Sequence, residues 1–293
     1  MALGTISTRV MVISDTHEHS LDGTMMPQAD VLLHTGDLTN FGDLESLRES
    51  VKMLGTIEAE LKLVIAGNHD IFLDATPRVE NISDKEYAEY HKAALEIMTG
   101  PLAKESGITY LQEGTHTFNI SNGATIKVYA SPYTAGLGDW AFPYKPLEDR
   151  FNDAQQTIRT SIATNPIPCG VDIVMTHGPP HLILDQDDGQ HLGFPNLLRA
   201  VSRTRPLMHC FGHIHEGHGA NIVTWQPDGN VKDPASATPL ETEQVNEYPY
   251  ANEWSIKSGQ QTLMVNAAIM MNTSSGMKPN YKPFIVTLQL PRE

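Results

Sequence analysis

Leu61-Lys62-Leu63-Val64-Ile65-Ala66-Gly67-Asn68-His69-Asp70 is the stretch that decides the fold. Its first six residues are mostly branched apolar side chains, as in a strand buried on both faces. The run breaks at a glycine and then presents three polar groups in a row. The same form recurs four times. Arg9-Val10-Met11-Val12-Ile13-Ser14 stops at Asp15, and Asp30-Val31-Leu32-Leu33-His34-Thr35 stops at Gly36-Asp37. Val171-Asp172-Ile173-Val174-Met175-Thr176 stops at His177-Gly178, and Leu207-Met208-His209-Cys210-Phe211 stops at Gly212-His213-Ile214-His215.

Helical spacing fills much of the intervening chain. Apolar residues recur at that spacing from Leu44 to Leu54. A helix capped by Asp84 is expected to run to about Met98, a further one covers Leu147 to Ala163, and a short one follows Pro195 from Asn196 to Ser202. Strand and helix therefore alternate, which is the mark of a layered α/β fold. Ile108 to Ala130 reads differently, as an antiparallel meander or hairpin with a turn at Asn122-Gly123. Late strands are expected at Asn221–Trp225, Thr262–Ala267 and Phe284–Leu290. Gln226 to Gln261 is polar and acidic and is expected to form a long surface excursion. No repeat or composition break divides the chain, so residues 1–293 are expected to form one domain.

Composition narrows the function. The 293 residues are 40% hydrophobic and 19% charged, enough for a sizeable core. The formal charge of −15, with no Lys/Arg run, argues against long nucleic acid as a partner, because counterion displacement needs a basic face. A small phosphoester stays compatible, since bound metal ions supply local positive charge. No basic segment precedes a long apolar stretch, and no apolar run approaches the ~20 residues of a membrane span. A cytoplasmic protein without a membrane partner is the expectation, with the oligomeric state open. Cys169 and Cys210 are not in a metal- or redox-type spacing and are expected to be buried free thiols.

Polar residues at strand ends carry the chemistry. Open α/β sheets bind ligands beyond the carboxyl ends of their strands. Those ends carry Asp15 and His17, then Asp37, then Asn68, His69 and Asp70, then His177, then His213 and His215. Any one of these blocks alone is an ordinary turn. Five in succession, each after an expected strand, are not.

In order and in type, Asp15-x-His17, Gly36-Asp37, Gly67-Asn68-His69-Asp70, Thr176-His177-Gly178 and Gly212-His213-x-His215 resemble the calcineurin-like metallophosphoesterase signature. Ser131-Pro132-Tyr133, Asp139-Trp140-Ala141-Phe142 and Val265-Asn266-Ala267 extend the similarity to the metallophosphoesterase-domain-containing, brain-type subgroup, which is phosphodiesterase-like. The resemblance implies a four-layer αββα sandwich of two mixed β-sheets flanked by helices. It implies two divalent ions, Mn, Fe or Zn: one held by Asp15, His17 and His215, the other by Asn68, His177 and His213, with Asp37 bridging. A shared water would then be the nucleophile. His69 would stabilise the transition state and protonate the leaving oxygen, with Asn68 also touching substrate, and Asp70 would orient His69.

The expected function is metal-dependent hydrolysis of small phosphodiesters such as cyclic nucleotides. A phosphomonoesterase, and a metal-binding scaffold with little catalysis, remain the alternatives. His34 and His209 lie inside strands and read as core or supporting groups. His181, His191 and His218 sit near the site-bearing loops, where surface residence is as good a reading as substrate contact, and His19, close to Asp15, is a candidate supporting group for the site. Asp139, Trp140, Phe142 and Tyr144 are candidates for a substrate wall or for a satellite core.

Overall fold

A computed structural model of the chain describes residues 4–77, 79–136, 138–226, 240–274 and 276–292. Strands β1 (Thr5–Ile13), β2 (Ala29–His34), β3 (Ala59–Val64), β4 (Ile108–Tyr110) and β12 (Phe284–Pro291) make one sheet in the order β12-β1-β2-β3-β4. All its pairs are parallel except β12 with β1. The second sheet contains β5 (Gly114–Asn119), β6 (Thr125–Ser131), β7 (Ile173–Thr176), β8 (Met208–Phe211), β9 (Gly219–Thr224), β10 (Leu240–Gln244) and β11 (Gln261–Asn266). Its order is β10-β9-β11-β8-β7-β6-β5, with β6, β7, β8 and β11 mutually parallel and the flanking pairs antiparallel.

Alternation along the strands builds the layers. Val10 and Val12 point into a core shared with Val128, Ile173, Met208 and Leu263 of the other sheet. Met11 and Ile13 point the opposite way, onto helices α1 (Leu44–Gly55) and α2 (Asp84–Thr99). On the far side, Val174, Phe211 and Met264 meet helix α4 (Pro195–Thr204) together with Phe151 and Ile167. The result is helix, sheet, sheet, helix, as the sequence resemblance implies. The lysine in the deciding stretch fits because Lys62 Nζ donates to the carbonyls of Leu54, Gly55 and Ser106 at 3.1, 2.9 and 3.1 Å. It thereby satisfies the carbonyl end of α1.

Four sequence expectations change. Leu147–Ala163 is not a helix. Side chains there bond the local backbone instead: Asp149 accepts from the Phe151 and Asn152 amides at 3.0 and 3.1 Å, and Thr157 accepts from the Arg159 amide at 3.1 Å. Such bonds compete directly with helix formation. Ile108–Tyr110 does not join the hairpin. It pairs parallel with β3, and the chain then crosses to the second sheet, where β5 and β6 form the expected hairpin around Asn122-Gly123. The excursion is not all loop, because Leu240–Gln244 closes the sheet edge against β9; residues 227–239 of it lie outside the described residues. Cys169 is exposed, on a turn before Gly170, while Cys210 is buried; both are free thiols.

Smaller differences concern ends. Ser83, not Asp84, caps α2 by accepting from the Glu86 amide at 3.2 Å. Pro101–Glu105 adds a short helix, α3. Among the described residues, no helix is long and apolar enough to cross a membrane.

Candidate metal centre

The carboxyl ends of β1, β2 and β3 meet those of β7 and β8 across the sheet interface. Two main-chain bonds seal the seam: the Ser14 amide donates to the Ala267 carbonyl, and the Ile269 amide to the Ser14 carbonyl, at 2.9 and 3.1 Å. Around it the backbone is strained. Asp15, His17, Asp37 and His213 all have left-handed backbone, with φ of 53°, 42°, 55° and 68°. For residues with a Cβ this costs ~1–2 kcal/mol each. The turns therefore follow from what surrounds them, and strain concentrates where side chains converge.

Three groups of potential ligands result: Asp15, His17 and His215; His17, Asp37 and His69; and Asp37, His177 and His213. Asp37 belongs to two of them by using different oxygens. Its Oδ2 lies 3.5 Å from His17 Nε2 and its Oδ1 lies 3.3 Å from His177 Nε2. Asp15 Oδ1 lies 3.2 Å from His215 Nε2 and 4.0 Å from His17 Nε2, and Asp15 also accepts from the His213 amide at 3.0 Å. Asn68 Oδ1 lies 2.9 Å from His177 Nε2. All seven residues expected to ligate metal thus share one site.

The electrostatics agree with a cation site. Burial opposes ionisation of Asp37, but the His177 charge and hydrogen bond outweigh it and hold the carboxyl far below its usual range. Asp15 is buried too, and His215 lowers it in the same way. His17 Nδ1 and Nε2 and His215 Nδ1 are buried without any hydrogen-bond partner. Imidazole nitrogens are rarely abandoned in this way. A divalent ion among oxygen and nitrogen donors would satisfy His17 Nε2, the ring atom that faces Asp15 and Asp37. His177 Nδ1 must donate to the Thr35 carbonyl at 2.9 Å, because a carbonyl only accepts, and this aims Nε2 at the centre. The donor set therefore fits metal, with no thiolate near: Cys210 lies in β8, its Sγ 3.6 Å from the Val174 carbonyl.

Glycines make the approach possible. A Cβ on Gly67 would collide with Asp37, and one on Gly212 would collide with Asp15 and Ser14. Only glycine lets these turns come so near the carboxylates.

His69 and Asp70 depart from expectation. Asp70 does not hold the His69 ring. Its Oδ1 accepts from the Thr39 amide and hydroxyl at 3.0 and 2.9 Å, and its Oδ2 from the Leu38 and Gly67 amides at 3.2 and 2.8 Å. The His69 ring is instead held by the Asn40 carbonyl, 2.7 Å from Nδ1. Asp70 thus fixes the segment that fixes His69. Burial, and after it the Asp37 charge, push the Asp70 carboxyl up to about 6. A main-chain carbonyl leaves no signal in sequence, so the role of Asn40 was not readable.

The remaining histidines sort out. His34 Nε2 lies 3.1 Å from Thr16 Oγ1, and His209 Nε2 lies 2.8 Å from Thr176 Oγ1, so both brace the strand ends. His218 does not face the centre; it bonds the Ala268 carbonyl at 2.8 Å and stacks on Tyr281 and Phe284. His181 and His191 flank the buried Asp185, at 3.6 and 2.6 Å. His19 is half-exposed. Of the expected wall, Phe142 and Tyr144 are buried in the core and Asp139 is exposed, but Trp140 lies against His69 with ring centroids 4.0 Å apart. Asn266 also matters: its amide donates to the carbonyls of Leu184 and Ile214 at 3.0 and 2.8 Å and so pins the His213–His215 turn.

This fold and this cluster define a metallophosphoesterase class. Residues 8–217 match the family model for calcineurin-like phosphoesterase, and the chain belongs to that family, a class of dinuclear metal enzymes. It is 33% identical over 220 residues to human metallophosphoesterase domain-containing protein 1, covering 72% of this chain and 62% of that one. It is 34% identical over 220 residues to the probable rhamnogalacturonate lyase C of Emericella nidulans, covering 74% of this chain but 18% of that protein. UPF0046 protein C25E10.12 of Caenorhabditis elegans is 32% identical over 221 residues, 72% of this chain and 70% of the worm protein. The chain thus matches less than two thirds of the length of the human and fungal relatives.

Proposed function

We propose that this chain is a dinuclear-metal-dependent phosphodiesterase acting on small phosphodiesters, cyclic nucleotides among them. The observation that carries the reading is Asp37, whose two oxygens address two separate histidine clusters at 3.5 and 3.3 Å. Asp15, His17 and His215 would hold one ion and Asn68, His177 and His213 the other, with Asp37 common to both. Mn, Fe or Zn would suit these donors. Bound there, such ions supply a nucleophile at neutral pH and neutralise phosphoryl charge.

The side chains do the rest. The Nδ1 proton of His69 is committed to the Asn40 carbonyl, so Nε2 is the atom that exchanges a proton with the leaving oxygen. Asn68 lines the adjoining cavity and would meet the substrate there as well. That cavity has no Lys or Arg among its described lining residues. An uncharged pocket beside the centre suits the second, neutral ester substituent that a diester carries and a monoester lacks. This favours diesters.

Chelator-stripped protein given back Mn, Fe, Zn or Mg singly tests the reading. Bis-p-nitrophenyl phosphate, p-nitrophenyl phosphate and a cyclic nucleotide are the substrates, with His69→Ala as control. Metal-restored diester cleavage that falls ~10²–10⁴-fold in the variant is expected. Faster monoester than diester turnover would overturn the diester preference. Metal binding without turnover of any ester would leave a scaffold.

A further inference from the structure

We propose that Trp140 is a specificity residue that stacks against a flat aromatic ring carried by the substrate; this rests on the phosphoesterase reading above. A cavity of about 200 Å³ opens beside the centre, lined by Asn68 and His213 together with Thr134, Gly136, Trp140 and Pro143. Because two proposed metal ligands form one wall, a substituent on phosphorus held at the centre enters this space.

Its chemistry is selective. No Asp, Glu, Lys or Arg is among its described lining residues, so the entering group is neutral. Apart from the His213 ring, which belongs to the centre, the described lining is Asn68, Thr134, Pro143, alanines and glycines, which leaves the Trp140 indole as its largest flat face. Trp140 as a whole is 40% exposed. It is also braced: the His69 ring lies at 4.0 Å with a 42° tilt, and Phe41 runs nearly parallel at 6.3 Å and 18°. An indole already packed against His69 and Phe41 loses little freedom when a ring settles on it. The volume is below the usual range for extended ligands, so one ring system fits and a long chain does not. Thr134 carries the one hydroxyl among the described lining residues, so rings are read by their faces more than by hydrogen bonds. A nucleobase and a simple aryl group share this chemistry.

Calorimetric titration of metal-loaded protein separates the possibilities. Phenylphosphonate is compared with methylphosphonate, and adenosine and uridine 5′-monophosphates with ribose 5-phosphate. The ring-bearing member of at least one pair is expected to bind about tenfold more tightly. The preference should shrink to about twofold or less in Trp140→Ala and survive in Trp140→Phe. Gly136→Leu is the second variant. Gly136 lines the cavity and a Cβ there meets nothing within 4 Å, so the leucine adds bulk at the cavity's rim without a clash and should also weaken the preference at an unchanged melting temperature. A preference in the phosphonate pair points to aryl substrates, and one confined to the nucleotide pair points to a nucleobase. Equal affinities in both pairs, with bis-p-nitrophenyl phosphate still hydrolysed, would overturn the ring proposal alone. Absence of both phosphonate binding and diester turnover would bring down the phosphoesterase reading with it.

Discussion

Two glycine-to-alanine changes should behave in opposite ways. Neither Gly67 nor Gly136 has left-handed backbone, so alanine meets no conformational penalty at either. At a compatible site the exchange stabilises by ~0.4–1 kcal/mol through the unfolded chain. Gly136→Ala projects into open space and should show that gain or no change. Gly67→Ala places a methyl onto the Asp37 amide and Oδ1 and 2.7 Å from His177 Cε1. Asp37 Oδ1 also accepts from the His69 amide at 2.9 Å, so the carboxylate cannot retreat without breaking that bond. Overpacking of this kind costs ~1–3 kcal/mol. Displacing the shared carboxylate should weaken metal binding by about 10–100-fold, the range seen when groups that orient ligands are altered. Thermal unfolding of the chelated proteins reads the first effect, and competition with a chromophoric chelator reads the second. If Gly67→Ala bound two ions as tightly as Gly136→Ala, the close packing of the centre would not be what glycine is there to permit.

Asp70→Asn should lower stability by ~1–3 kcal/mol and cut turnover while sparing metal stoichiometry, because an amide cannot accept from all the Leu38, Thr39 and Gly67 donors that the carboxylate serves. Unchanged urea denaturation would count against it. Glu113→Ala strands Arg150, which makes a bidentate pair with it at 2.8 and 2.9 Å and lies 3.3 Å from the centre of the Tyr133 ring. The loss should reach ~3–5 kcal/mol and be partly recovered in the double variant with Arg150→Met, as equilibrium denaturation would reveal. His209 is buried, which lowers it to about 3 from the usual 6.5. Its stabilising contribution is therefore present above pH 6.5 and is lost as pH falls toward 3. The slope is at most ~1.4 kcal/mol per pH unit. Denaturation of the chelated His209→Gln variant between pH 4 and 7 should be flatter by up to one proton, and an identical slope would refute this.

Period and punctuation in the sequence determined the strands and their polar ends, because a strand buried on both faces must be apolar throughout and must stop where polar groups begin. Three of the five blocks end strands of one sheet and two end strands of the other, and the packing of the two sheets brings them together. Tertiary structure decided what depends on partners far along the chain. Ile108–Tyr110 joined the first sheet because β3 offered it an open edge, which no local pattern records. Leu147–Ala163 lost its helix because Asp149 and its neighbours found better local bonds. Asp70 proved to act through the Leu38–Thr39 backbone, and the Asn40 carbonyl, identical in every residue type, took the place expected for a carboxylate. Trp140 could be named from sequence, but only the packing of His69 and Phe41 against it turned an aromatic residue into an exposed face beside the centre. Side-chain periodicity is written in the chain one residue at a time; main-chain acceptors and cavities exist only once distant segments have met.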